Sequence, residues 1–153
     1  MEFSCEQILS VAAGVFLIPC AVSDFRRKEI PILFLTVVTA VAVAAVLWRI
    51  VNGDYTVNEC LLSLLPGVFL LLVFVVTGGK IGIGDGVVFI IIGLMIGCMS
   101  AFVVMFLSLI FSATWGGYLM LRKKVGKDTS IPWMPFVLAG YLIWYAIAVV
   151  PEF

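Results

Sequence analysis

Asp24 and Asp85 are the residues of this chain best suited to chemistry. The sequence contains no histidine, which excludes Ser-His-Asp, Cys-His and His-ligated metal arrangements. Any proton transfer must run on carboxylates, lysine, tyrosine, cysteine or water. Two carboxylates brought close together cannot both ionise easily and so share a proton. The ionised partner can then activate a water while the protonated one polarises a carbonyl. The apparent proton affinities belong to the pair. Asp24 lies in Ser23-Asp24-Phe25-Arg26-Arg27-Lys28-Glu29-Ile30-Pro31, and Asp85 in Gly82-Ile83-Gly84-Asp85-Gly86. Whether they meet depends on the elements that carry them.

Those elements are set by composition. Of 153 residues, 64% are hydrophobic, and nine Lys+Arg balance nine Asp+Glu. Mean hydropathy is +1.27. So few polar groups cannot cover a soluble domain of this size. An all-α, polytopic membrane protein with six transmembrane helices is expected. Six spans of about 20 residues would use roughly 120 positions, so residues 1–153 form one domain. The apolar stretches run over 8–22, 31–51, 60–77, 87–98, 101–121 and 132–150. The first is flanked by Glu2 and Glu6, unlike the basic start of a cleaved signal peptide. The fourth and fifth merge into an uncharged run of about 36 residues, roughly 54 Å as one helix, too long for a single crossing. A turn is therefore expected at Gly97-Cys98-Met99-Ser100.

Charge placement gives the sidedness. Arg26, Arg27 and Lys28, then Lys80, then Arg122, Lys123, Lys124 and Lys127 occupy alternate loops. The positive-inside rule makes those loops cytoplasmic and turns both termini outward. Asp24 and Asp85 then fall at the same membrane face and at similar depth. Read singly, Asp24 is a juxtamembrane charge and Asp85 an N-cap of the fourth helix. Pro31 fits the ordinary preference for proline at the first helical position. The local glycines favour a site: Gly78, Gly79, Gly82, Gly84 and Gly86 surround Asp85, a density that permits close approach of a substrate strand.

With these residues in view, the chain resembles the type IV prepilin peptidase family, membrane aspartyl proteases with a G-x-G-D signature. Asp24 is followed by Ile30-Pro31. Gly82, Gly84 and Asp85 open the fourth helix. Pro132-Trp133-Met134-Pro135-Phe136 leads into the last, followed by Ala139-Gly140. The resemblance runs in order along nearly the whole chain. It implies Asp24 and Asp85 as catalytic residues and a prepilin or pseudopilin substrate, cut at its basic leader on the cytoplasmic face of the inner membrane. Gly82, Gly84, Gly86, Lys80, Glu29 and Pro31 are the substrate-positioning candidates. Two positions depart from the family pattern: Ile32 where the family has Asn, and Val87 where it commonly has Lys. They leave open an inactive relative, with Lys80 a candidate for the missing charge. The short connection after Asp24 lacks the cysteine-ligated zinc segment that longer members link to N-methylation, so peptidase activity alone is expected.

No metal and no cofactor are expected. Cys5, Cys20, Cys60 and Cys98 are scattered, without a C-x-x-C pair. The lipid bilayer is the expected environment, and the balanced charge gives no reason to expect nucleic acid. A small transporter or assembly subunit is the rival reading, with Asp85 binding a cation or capping a helix. Pro19 and Pro66 are expected to kink their helices. Trp48, Trp133, Trp144 and Tyr145 are expected as interface anchors or packing residues. Gly93 and Gly97 form a small-xxx-small pair suited to helix packing.

Overall fold

The computed structural model describes residues 5–27, 31–78, 82–122 and 132–148. These form seven helical segments and no strand: α1 (Cys5–Arg27), α2 (Ile32–Val51), α3 (Val57–Ser63), α4 (Leu65–Val76), α5 (Ile83–Ile96), α6 (Cys98–Leu121) and α7 (Met134–Ala148). Segments α3 and α4 together cover the expected third span. Thr56 and Glu59 close a reciprocal capping box at the start of α3. Pro66 in the first turn of α4 marks the junction, because proline cannot continue the hydrogen-bond ladder across it. Pro19, by contrast, lies inside an unbroken α1.

Among the described residues, four helices are long and apolar enough to cross a membrane: 6–26, 32–51, 57–76 and 98–121. Helices α5 and α7 have 14 and 15 residues. At 1.5 Å per residue their described lengths come to about 21 and 22 Å, against a hydrocarbon core of about 30 Å. The described residues are thus all-helical, with six helical stretches of which four have spanning length. Gly97 ends α5, and α1, α2, α3, α4 and α6 all pack against that helix. Val88, Phe89, Ile91, Ile92, Leu94 and Met95 are buried around nearly its whole circumference, as in a helix enclosed by protein. Outward apolar residues such as Ile18, Val41, Leu72, Phe106 and Ile147 are exposed, as a lipid-facing surface requires.

Glycine lets the helices approach closely. A Cβ on Gly67 of α4 would stand 2.6 Å from the Ile90 nitrogen and 2.7 Å from the Gly86 oxygen, both on α5. A Cβ on Gly93 would run into the Ser63 carbonyl oxygen at the end of α3. Gly140 of α7 sits close on α6, though less tightly, with the Val104 oxygen 3.1 Å from where its Cβ would be. The expected turn near Gly97 is present, and Gly97 itself joins α5 to α6 with φ 85°, a conformation glycine adopts without strain. Of the expected small-residue pair, then, Gly93 packs helices and Gly97 ends one. Tyr141 of α7 is buried, and its hydroxyl donates to the Ser10 carbonyl of α1.

Candidate active site

Asp24 reaches its position through the apolar face of α1. Ala13, Leu17 and Cys20 are fully buried at helical spacing, and Asp24 extends that row by one more turn. Residues 23–27 continue α1, because neither Gly nor Pro interrupts the segment and Arg26 and Arg27 suit a helix C-terminus. Asp24 is therefore on the last turns of α1, not in the connection after it. Its carboxylate Oδ2 accepts a hydrogen bond from the Met134 backbone N–H at 2.9 Å. Met134 opens α7, where backbone N–H groups lack helical acceptors, so an anion is favoured there.

Asp85 stands in the opening turn of α5, ahead of the apolar run that begins at Val87. The N-cap of α5 is Gly82, not Asp85. The Asp85 side chain folds back towards Gly82, whose backbone hydrogen bond favours the charged carboxylate. Burial, and then the negative charge of Asp24, outweigh that bond and push the Asp85 carboxyl up to about 7. The end of α1 and the start of α5 thus bring the two carboxyls close enough to interact. One turn further along α5, the Phe89 ring stacks on Trp133 with centroids 5.6 Å apart. That contact seats the Pro132–Pro135 stretch over the same end of α5. The Trp133 Nε1 is buried without a hydrogen-bond partner among the described residues, a donor no sequence motif marks.

The remaining candidates divide. Gly82 has φ −71°, a conformation open to any residue, and a Cβ there would stand 3.5 Å from Asp85 Oδ2. Gly84 is half-buried beside it. Gly86 is buried, facing Leu71 and Gly67 of α4. Pro31, expected as the first helical residue, is instead the N-cap of α2, one position before it, and its carbonyl accepts from Leu35 N–H. Ile32 is exposed and Val87 half-buried. Glu29 and Lys80 lie outside the described residues. Among the described residues, no three Cys, Asp or Glu side chains converge as metal ligands would.

The chain is thus all-helical and membrane-type among the described residues, with two carboxyls near one end of a short buried helix. The model of the Type IV leader peptidase family matches residues 11–117, and this chain belongs to that family. The match contains Asp24 and Asp85 and stops ahead of α7. No curated protein and no solved structure matches.

Proposed function

We propose that the chain is an aspartic endopeptidase that removes the basic leader from prepilin or pseudopilin substrates, with Asp24 and Asp85 as its catalytic pair. The observation that carries this reading is the placement of the two carboxyls, one at the end of α1 and one at the start of α5, on helices that pack against each other. In the working state one carboxyl is ionised and one protonated. The carboxylate takes a proton from water, whose oxygen attacks the scissile carbonyl carbon. The protonated partner donates to the carbonyl oxygen as the tetrahedral intermediate forms. Collapse breaks the C–N bond, and the carboxyl that took the water proton returns it to the departing amine.

The positive-inside pattern supports a site at the cytoplasmic face, with both termini outward. A prepilin leader would meet it there while its apolar helix stays in the bilayer. Gly82 and Gly84 leave room for the substrate backbone beside Asp85. Glu29 and Lys80 are proposed to bound that region. The absence of a cysteine pair after Asp24 supports cleavage without N-methylation.

Asp24→Asn and Asp85→Asn test the reading, each co-expressed with a cognate prepilin and followed by the shift to mature pilin. Each is expected to lower processing by about 10²-fold or more. Near wild-type processing by either variant would refute the pair. Methylated mature pilin made by this enzyme alone would refute the single-activity assignment.

A further inference from the structure

A second charged site lies at the far end of the bundle from the aspartates. Glu6 opens α1 where Asp24 ends it, and Gly97 closes α5 where Asp85 opens it. Between those far ends is a cavity of about 290 Å³, lined in part by Glu6, Ser10, Arg49, Tyr55, Gly97 and Ser100. Arg49 is its buried cation, only 4% exposed. Its Nη2 donates to Glu6 Oε1 at 3.0 Å, and its Cζ lies 4.5 Å from the centroid of the Tyr55 ring. Its Nε is buried with no hydrogen-bond partner among the described residues.

Burying a guanidinium with an orphaned N–H is costly. Glu6 compensates only in part, because its side chain is 78% exposed and an exposed ion pair contributes little. The same cavity is lined by the start of α6, a 24-residue helix whose N-cap Gly97 offers no side-chain acceptor. Its first-turn amides and the positive end of its dipole favour an anion. Ser100 adds a hydroxyl on the same turn. An Arg fork, helix N-terminal amides and a hydroxyl form a donor set suited to a tetrahedral oxyanion.

We propose that this cavity binds a phosphate-type oxyanion, held by Arg49 and the opening turn of α6. The anion comes from a phospholipid headgroup or from inorganic phosphate, whose chemistry is shared. Glu6 is the exposed counter-charge that the anion displaces. The site is independent of the aspartate pair and of the peptidase reading.

The test uses the full chain in detergent micelles, melted in sodium phosphate and in sodium chloride at equal ionic strength. Native mass spectrometry of the same protein with added phosphatidylglycerol forms the second arm. Phosphate should raise the wild-type melting temperature by about 2 °C or more, or phosphatidylglycerol should stay bound. Stabilisation by inorganic phosphate identifies the free ion as sufficient, and retention of phosphatidylglycerol alone identifies the headgroup. Arg49→Gln and Ser100→Asp should abolish whichever effect is seen, and Glu6→Gln should strengthen it several-fold. If Arg49→Gln does not fold, Ser100→Asp and Glu6→Gln decide. Neither probe binding the wild type, or equal binding by the wild type, Ser100→Asp and Glu6→Gln, would overturn the proposal.

Discussion

The backbone N–H of Met134 donates to the Asp24 carboxylate across a separation of 110 residues. The opening turn of α7 thereby holds a carboxylate at the end of α1, and the Pro132–Pro135 stretch acquires a physical task. Proline at position 134 would remove that N–H, yet proline is well tolerated at the first position of a helix. Met134→Pro is therefore expected to lower prepilin processing about tenfold or more, in line with loss of a charge-assisted hydrogen bond. Met134→Leu keeps the N–H and fills the same buried space, and should process near the wild-type rate. Comparable rates for the two variants, both folded by thermal melting, would remove Met134 N–H from the account of Asp24.

The Asp85 carboxyl, pushed up to about 7 by burial and by Asp24, gives a signed pH dependence. Folded Asp85 keeps its proton well above the ordinary value of 3.8, so between those values the folded state binds more protons than the unfolded one. The stability Asp85 contributes is present below about 4 and is lost as pH rises through about 7. Processing should likewise fall above about 7, as the pair loses its shared proton. Infrared difference spectra should show a carboxylic C=O band titrating near that pH and absent from Asp85→Asn. In Asp24→Asn the like charge is gone, and the band should titrate at lower pH. A band unmoved by Asp24→Asn would mean that the two carboxyls do not interact.

Glycine substitutions separate packing from the site. Gly93→Ala would press its new methyl into the Ser63 carbonyl and force α3 away from α5, costing about 1–3 kcal/mol. Gly97→Ala has open space, with nothing within 4 Å, but keeps φ at +85°, at a cost of about 1–2 kcal/mol. Gly82→Ala meets neither obstacle and should melt within about 0.5 kcal/mol of wild type. Its methyl would nonetheless sit beside the Asp85 carboxyl, so processing should slow several-fold. Thermal melts and processing assays on the three variants should show stability lost in the first two and rate lost in the third. Unchanged processing by Gly82→Ala would show that the space beside Asp85 is not used by substrate.

The helical pattern was legible because a membrane chain writes its spans as uninterrupted apolar runs. The break at Gly97 followed from length alone. The extent of α1 was less legible, since Ser23-Asp24-Phe25-Arg26 resembles a loop in composition yet carries nothing that stops a helix. The density of glycine near Asp85 suggested one shared purpose, but Gly82 has an ordinary φ and Gly86 packs against α4. Which glycines serve packing depends on the facing helix, which periodicity does not specify. Arg49 is the ninth basic residue, near the end of the second apolar stretch, and nothing in that position marks it as buried beside Glu6 and Tyr55. Both aspartates were visible as types in motifs. The Met134 contact was not, because it depends on how α7 docks against α1.

Trp133 offers the last discriminating experiment. Its indole stacks on Phe89, while its Nε1 is buried and unpartnered among the described residues. A buried donor without an acceptor costs about 1–3 kcal/mol, and a substrate carbonyl lying over the start of α5 would satisfy it. Trp133→Phe keeps an aromatic ring on Phe89 and removes the donor. The variant should be about as stable as wild type, since removing an orphaned polar group offsets the smaller ring, and yet process prepilin several-fold more slowly. Trp133→Ala removes the stack as well and should lose both stability and rate. A Trp133→Phe variant with unchanged processing would limit Trp133 to packing.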